Sequence, residues 1–527
     1  MNTDLQNALI AWQGGELPEG RAEALLEKLR VDTNFRQALA EQVWTLSLTK
    51  IAQSPDPRWI ALNEEIGLIE RSFDVIDGGF ESTLMQNVRR EPLRFVGAGW
   101  RWATALAAAA VVVLAALLVF RQPTAADRGE TLAVLVPASS HEASRPIGAE
   151  RLQLADGKAR LLFINGVILD VEGPADLQVR SVSHVFCSEG RLRTQVPPGA
   201  EGFCVETPRG DVTDLGTVLG ISVAKTGKTD VNVFEGQAEL SARIPGQAGL
   251  RTAVLNEDEK ASLGSSSGFI GLSDEVNFLD AIEPAAPAMP WSADHARRIL
   301  ASKPAHYWRL NRLVEGRIPN EIEGGPALLI SGDVEITTSA RFHGRQGPGV
   351  LHAEKPWPAP RSGYAIEFWF MPETLDQMAV AALTTADAMR PHIGLVEMGG
   401  RRPGEAVGPG VLRYLLRWPP GHRDGLNLYS GTNAALPYQW HHIVAQQQAG
   451  TMQLYLDGQL IGPAQSDAAP ESVEALLQLG ALEFRPGQDI AKLRRPFAGR
   501  MAEVVIYDRV LDAAEVREHA RRDAVSP

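Results

Sequence analysis

Paired carboxylates are the first chemistry to look for, because sugar-cleaving enzymes place one acid and one nucleophile on the same strand face. The segment "YAIEFWFMP" contains a single glutamate, Glu367, and no E-x-D-x-x-E arrangement accompanies it. The sequence therefore argues against catalysis here and predicts no enzyme activity.

Histidine and cysteine positions do not predict a metal site. His441 and His442 are adjacent, and neighbouring residues of a strand point to opposite faces, so we expect one in the core and one on the surface. His184 with Cys187 and Cys204 would lack a fourth zinc ligand. The sequence thus predicts no metal and no cofactor.

Cys187 and Cys204 lie on either side of "SEGRLRTQVPPGAEGF", which we interpret as a hairpin. A disulfide between them is one possibility, since oxidising compartments favour such bonds when the Cα atoms come within about 7 Å. The alternative is two buried thiols that act as small apolar side chains.

Several aromatic side chains in the C-terminal part have the chemistry to stack on a sugar ring. The core also uses aromatics, and for any single one the core is favoured. The candidates for ligand stacking are Trp369, Trp418, Trp440 and Tyr455.

The elements that must position these residues are short strands. Residues 128–268 alternate apolar and polar side chains with Gly or Pro at intervals of about 8–12 residues, which is typical of an all-β domain. Residues 269–303 read as a linker and a short helix, and residues 304–520 as further strands. Gly450-Thr451 and Asp457-Gly458 predict hairpin bends, and Asp512 with Glu515 predicts a capping box.

An apolar stretch precedes these strands. Residues 102–120 carry no charge, and at about 1.5 Å per residue they would span roughly 28 Å as a helix, close to the bilayer core. A buried core helix would show a polar face, and none exists here. Arginines concentrate before the span, which predicts a cytoplasmic N-terminus and C-terminal domains outside the membrane.

The chain before the span is predicted to contain short amphipathic helices in residues 1–72, followed by a tether at 73–101. Their apolar stripes either form a small core or offer a surface to a partner. The candidate partner-binding residues are Leu9, Trp12, Leu25, Leu29, Phe35, Leu39 and Val43.

Charge and composition limit the functional classes. The net charge of −13 argues against a nucleic-acid partner. A hydrophobic content of 44% excludes wholesale disorder.

Two stretches resemble a known family of membrane regulators. The stretch "AWQGGELPEGRAEALLEKLRVDTNFRQALAEQVWTLSL" resembles the N-terminal region of anti-sigma regulators of the FecR type. "VEGPADLQV", "DVTDLGTVLGISV" and "VNVFEGQAEL" resemble the FecR domain itself. We interpret its matching positions as fold residues, with glycines at turns and Asp214 bonded to nearby amides. They are Glu172, Pro174, Gly190, Asp214, Gly216, Thr217 and Gly236.

The C-terminal stretches "WHHIVAQQQAGTMQLYLDGQLIG" and "FAGRMAEVVIYDRVL" resemble the LamG-like jelly-roll domain of the concanavalin A-like group. That resemblance implies an antiparallel β-sandwich that binds sugar, protein or calcium. The expected fold is therefore multidomain and mainly β: a small helical module, one transmembrane helix, an all-β FecR-like domain and a C-terminal jelly roll.

Together the resemblances imply a single-pass regulator of the bacterial inner membrane. Its cytoplasmic module would hold a sigma factor, and its periplasmic domains would sense an extracytoplasmic protein or glycan. The alternative is an envelope adhesion or carbohydrate-binding protein whose cytoplasmic helices only anchor it.

Overall fold

The structure is a computed structural model. It describes residues 130–139, 142–243, 250–263, 269–271, 276–292, 294–385, 392–399, 408–417, 425–448, 450–465 and 473–523. The predicted helical module 1–72, the tether 73–101, the span 102–120 and Trp418 lie outside these residues. In the described part, no helix is long and apolar enough to cross a membrane.

The described elements are almost all strands, which confirms the prediction of a mainly β architecture. The first fourteen strands are β1 (Ala133–Pro137), β2 (Arg145–Ile147), β3 (Arg151–Leu154), β4 (Lys158–Phe163), β5 (Ile168–Ser181), β6 (His184–Gln195), β7 (Phe203–Thr207), β8 (Gly210–Asp214), β9 (Val218–Val223), β10 (Thr229–Glu235), β11 (Gln237–Arg243), β12 (Leu250–Asn256), β13 (Lys260–Leu263) and β14 (Phe269–Gly271). The α-helices are α1 (His295–Ala301) and α2 (Ala513–His519), and a short 3-10 helix spans Ile490–Lys492. The remaining strands are β15 (His306–Trp308), β16 (Leu328–Gly332), β17 (Val334–Ile336), β18 (Ala340–His343), β19 (Gly349–Ala353), β20 (Trp357–Ala359), β21 (Tyr364–Pro372), β22 (Met378–Thr384), β23 (His392–Gly399), β24 (Val411–Arg417), β25 (Gly425–Tyr429), β26 (His441–Gln448), β27 (Thr451–Leu456), β28 (Gln459–Gln465), β29 (Val473–Leu479) and β30 (Ala498–Tyr507).

The first β domain is one sheet, β1–β14, that divides around its own core. The long strand β5 pairs with β4 along its first half and with β3 along its second half, and β6 pairs with β7 and then β9. The β5–β6 register shifts between Glu172 and Asp176. Gly190 lies beside this shift with φ 147°, and a Cβ there would come within 2.9 Å of the Ala175 Cβ. Two of the predicted fold residues, Glu172 and Gly190, therefore lie where the sheet divides.

The strand β14 extends the first domain beyond its predicted end at residue 268. It pairs with β13 in the same sheet. Residues 269–271 therefore belong to the first β domain and not to the linker.

The C-terminal part is a sandwich of two antiparallel sheets. In the first sheet the strand order is β17-β18-β30-β21-β26-β27-β28, with β15 beside β30, and in the second it is β16-β19-β29-β22-β23-β24-β25, with β20 beside β29. A large apolar core lies between them. The two predicted hairpin bends join β26 to β27 and β27 to β28, where Asp457 and Gly458 both have positive φ angles.

The outer face of the first sandwich sheet is covered. Helices α1 and α2 pack on it, and an apolar cluster joins Ile299 of α1 and Val516 of α2 to Tyr307, Val505 and Tyr507 of the sheet. The predicted capping box at Asp512 and Glu515 begins α2. Every residue of the central strand β21 is consequently buried.

Candidate functional site

The outer face of the second sandwich sheet carries the candidate site. Glu397 of β23 lies opposite Arg413 of β24, which in turn lies opposite Tyr429 of β25. The alternate residues Val396 and Tyr414 belong to the core between the sheets. Because side chains alternate along a strand, Glu397, Arg413 and Tyr429 share the face that points away from that core.

Arg413 is the centre of this site. Its Nη1 donates to Glu397 Oε1 over 2.8 Å, and its Nε and Nη2 both donate to Asn427 Oδ1, over 3.0 and 2.7 Å. The guanidinium carbon lies 5.6 Å from the centroid of the Tyr429 ring, within the range of a cation–π contact. These contacts fix the guanidinium beside the aromatic ring.

Glu397 is the buried hydrogen-bond partner of Arg413. It is 1% exposed, and it accepts hydrogen bonds from both Arg413 and Arg495. A buried carboxylate needs such charged partners because desolvation of an unpaired charge is costly. Tyr429, in contrast, is 46% exposed. The site thus combines an accessible ring face with a fixed, charged hydrogen-bond donor, a combination that can hold a polyhydroxylated ligand.

The candidate stacking residues of the sequence analysis do not form this site. Trp369, Trp440 and Tyr455 are 0%, 3% and 5% exposed, and they lie in apolar clusters on the covered face of the first sheet. Since their rings are packed against protein, the structure assigns all three to the core and contradicts a stacking role for them.

His441 and His442 were expected to divide between core and surface, and this expectation was wrong. They do point to opposite faces, but both are buried. His441 Nδ1 lies 3.0 Å from Asp457 Oδ2, and His442 Nε2 lies 2.9 Å from Glu367 Oε1. The outer face of this sheet is buried because α1, α2 and the segment just before α1 cover it.

Glu367 and its histidines form a closed polar cluster under this cover. The second carboxylate oxygen of Glu367 lies 3.0 Å from His519 Nδ1 of α2. Burial alone would raise the pKa of Glu367, but His519 and His442 outweigh it and hold that pKa well below its usual range. Burial lowers the pKa of His519, yet the Glu367 carboxylate reverses the shift and raises it.

His295 of α1 lies near the same cluster without a charged partner of its own. Burial lowers its pKa to about 3, against the opposing pull of the Glu367 carboxylate. The ring therefore stays neutral at ordinary pH and packs beside Trp291, 5.6 Å between centroids.

Four of the predicted fold residues of the first domain, Asp214, Gly216, Thr217 and Gly236, contact one another at a turn. Asp214 Oδ1 accepts from the backbone N–H groups of Gly216 and Thr217, over 3.0 and 2.8 Å, and Oδ2 accepts from Thr194 Oγ1. Burial raises the pKa of Asp214, and these hydrogen bonds oppose the shift. Gly236 has φ 81°, and a Cβ there would meet Thr217 Cγ2 at 2.6 Å.

Cys187 and Cys204 are not joined by a disulfide. The predicted hairpin was wrong, because β6 runs on to Gln195 and the chain then returns so that β7 lies parallel to the start of β6. Cys204 pairs with His184, which places it three residues out of register with Cys187. Cys187 is fully buried, and burial raises its pKa to about 12.

Sequence reasoning missed the residues of the candidate site. Alternation in "GLNLY" places Asn427 and Tyr429 on one face of their strand, and "VLRYLLR" places Arg413 between two apolar neighbours. Their contacts through Arg413 to Glu397 depend on the register of three strands, which no local pattern contains.

A protein-family model matches the C-terminal part of the chain. Residues 344–517 match the family described as the concanavalin A-like lectin/glucanases superfamily. This supports the predicted C-terminal jelly roll and covers the strands that carry the candidate site. Curated proteins give no match to the chain.

Solved structures resemble the chain only distantly. The heptameric SAP-like pentraxin from Limulus polyphemus has 11% identity and a TM-score of 0.27, covering 42% of this chain and 82% of its own. Domain 4 of the extracellular arabinanase AbnA from Geobacillus stearothermophilus, in complex with arabinotriose, has 16% identity and a TM-score of 0.30, covering 42% and 98%. The binding domain of botulinum neurotoxin DC, in complex with rat synaptotagmin II, has 9% identity and a TM-score of 0.32, covering 42% and 51%. Likeness at this level carries no conclusion about function, and the chain spans about half of the neurotoxin fragment.

Proposed function

We propose that the C-terminal sandwich binds a carbohydrate on the outer face of its second sheet. The observation that carries this proposal is the exposed Tyr429 ring beside the Arg413 guanidinium, which Glu397 and Asn427 hold in place. The ring offers an apolar face to the C–H groups of a sugar, and the guanidinium offers N–H donors to its hydroxyls. The match to the concanavalin A-like superfamily supports the same function.

The proposed activity is binding without cleavage. Glu367, the one acidic residue of its strand segment, is buried between two histidines rather than facing a ligand. Glu397 is committed to two arginines. Neither arrangement supports the pair of separated acid and nucleophile that glycoside cleavage requires.

A panel of immobilised polysaccharides and glycans tests this proposal with the full-length protein. We expect Tyr429→Ala to lose at least about tenfold in affinity for whichever glycan the wild type retains, the range found for a residue that dominates an interface. Leu460→Ala is the matched control, because Leu460 is also 46% exposed but belongs to the first sheet. Equal binding by wild type and Tyr429→Ala would contradict the site, and retention of only protein ligands would contradict the carbohydrate.

We further propose that the whole protein is a single-pass inner-membrane regulator of the anti-sigma type. Three sequence features support it: the apolar residues 102–120, the amphipathic stripes of residues 1–72, and the FecR-like motif of the first β domain. In this function the N-terminal residues hold a sigma factor in the cytoplasm, and the β domains sense a ligand outside. An adhesion protein with a non-signalling anchor is the alternative.

Two experiments separate these functions. Affinity capture on the full-length protein should retain a sigma factor, and Trp12→Ala should release it while circular dichroism stays unchanged. A cytoplasm-specific reporter should work when fused before Arg89 and fail when fused after Arg128. Capture of no sigma factor would leave the anchor function, and the reversed reporter pattern would contradict the assigned topology.

A further inference from the structure

Residues 276–292 connect the two β domains, and we call this segment the strap. Its sequence places proline at every third position, Pro284, Pro287 and Pro290. Residues 276–289 take part in neither a helix nor a strand. The question is what holds such a segment in place.

The proline spacing itself favours a polyproline II conformation. Each proline ring fixes φ near −65°, and the residue before each proline is biased toward the extended region. Polyproline II has three residues per turn, so prolines at every third position line one side. The burial agrees: Pro284 is buried and Pro287 and Pro290 are half-buried, whereas Ala285 and Ala288 are exposed.

The first β domain grips the N-terminal end of the strap. Asp170 Oδ2 accepts from the Ile282 backbone N–H over 2.8 Å, and Arg160 donates to the Ile282 carbonyl while its Nε donates to Asp170 Oδ1 over 2.7 Å. Ile282 is 6% exposed. Phe278 packs edge-on against Phe234, 6.5 Å between ring centroids. A buried ion pair thus holds both polar groups of one strap residue.

The sandwich contacts the C-terminal end of the strap through tryptophan side chains. Trp440 Nε1 donates to the Pro287 carbonyl over 3.1 Å. The Trp291 ring lies 4.7 Å from Trp369 and 5.4 Å from Trp440, and Met289 joins the same cluster. Proline-rich peptides are commonly recognised by aromatic-lined grooves, and here the sandwich tryptophans meet the strap at the Pro287 carbonyl and the Trp291 ring.

Direct contacts between the domains accompany the strap. Gln439 Nε2 donates to the Ser144 carbonyl over 2.7 Å, and Asn433 Nδ2 donates to Thr131 Oγ1 over 2.9 Å. In the strap itself, the Ala285 N–H donates to the Ala138 carbonyl of the first domain over 3.1 Å. The strap therefore crosses an interface that both domains share.

We propose that Trp369 and Trp440 form a recognition groove for a polyproline II segment and that the strap is its resident occupant. Through this groove the sandwich and the first β domain are held as one rigid body. The groove lies on the covered face of the first sheet, so this binding is independent of the proposed carbohydrate site.

Hydrogen exchange on the full-length protein tests the proposal, with Trp440→Phe as the variant that keeps a ring but removes the indole donor. We expect exchange of the Ile282 and Ala285 amides to rise by about five- to tenfold, the factor that one lost hydrogen bond gives. Trp308→Phe is the matched control, because Trp308 Nε1 donates over 2.9 Å to the carbonyl of Pro326, another proline, away from the strap.

The outcomes are distinct. Faster exchange of the strap in Trp440→Phe alone supports the groove, and unchanged or equal exchange in both variants overturns it. If Trp440→Phe loosens the whole sandwich, Pro287→Ala decides, since Pro287 is half-buried and leaves the tryptophans in place. Release of the strap by Pro287→Ala supports the proposal, and full protection in that variant contradicts it.

Discussion

The two outer faces of the sandwich each bury one glutamate against two basic side chains, and the surroundings of the two glutamates differ. Glu367 lies between two histidines under α1 and α2, whereas Glu397 lies between two arginines next to an exposed tyrosine. Histidines lose their charge near neutral pH and arginines do not. From this difference we expect the cluster around Glu367 to contribute to stability, and the cluster around Glu397 to keep Arg413 in place for the proposed ligand.

The same substitution at both glutamates should separate these roles most strongly. Glu367→Gln removes a fully buried negative charge from two buried histidines, and breaking such a pair costs about 3–5 kcal/mol. Glu397→Gln should cost less, roughly 1–2 kcal/mol, because Arg413 and Arg495 remain 17–18% exposed and can be hydrated. Chemical denaturation of the full-length variants, followed by the tryptophan signal, measures both losses.

Equal losses of the free energy of unfolding in the two variants would contradict the expected difference between the two faces. If Glu397→Gln destabilised the sandwich as strongly as Glu367→Gln, both faces would be structural, and the carbohydrate site would lose its main support.

The strand pattern and the hairpins of the sandwich could be predicted from the sequence. Asp457-Gly458 and the capping box at Asp512 are local signals, and each depends on residues within a few positions of one another. The covered face could not be predicted, because its burial depends on two helices more than 200 residues apart in sequence. His442 is buried on that covered face, although local alternation alone left one face of its strand open.

The cysteines show a second limit of local reasoning. A Gly- and Pro-containing segment between two strand-like stretches favours a hairpin, but β6 continues past the expected turn and β7 pairs in parallel. The bonds from Asp214 to backbone amides were predictable in contrast, since they reach only two and three residues along the chain.

Two buried histidines of the covered face should make the stability depend on pH. His295 has its pKa lowered by burial to about 3, so below an unfolded pKa near 6.5 the unfolded chain binds a proton that the native chain does not. Stability therefore falls as the pH decreases from 6.5 toward 3. His295→Phe should remove this loss, which amounts to roughly 2–3 kcal/mol between pH 6.5 and 4.5.

His519 changes the stability with pH in the opposite direction, because its pKa is raised. Its raised pKa gives stability that is fully present below its unfolded pKa and is lost as the pH rises through the folded value. His519→Gln should therefore flatten the alkaline side of the profile. Denaturation at a series of pH values checks both variants, and parallel profiles for wild type and His295→Phe would contradict the buried neutral histidine.

Arg413→Lys should give the smallest effect and sharpen the comparison. Lysine keeps the charge but loses the planar fork that bonds Asn427 and Glu397 together. We expect the affinity for the retained glycan to fall by about fivefold, and the free energy of unfolding to change by less than about 1 kcal/mol. Isothermal titration measures the glycan affinity. Arg180→Lys is the control, since Arg180 lies over the Phe186 ring of the other domain. Unchanged affinity would remove Arg413 from the site.

The glycan affinity of the two glutamate variants tests most directly whether the two faces have different functions. At a temperature where both variants are folded, Glu397→Gln should weaken binding by about tenfold or more, because Arg413 loses the anchor that orients it. Glu367→Gln should bind within about twofold of the wild type, since its carboxylate lies on the opposite sheet. Loss of binding in Glu367→Gln with full binding in Glu397→Gln would contradict a carbohydrate site beside Glu397 on the second sheet.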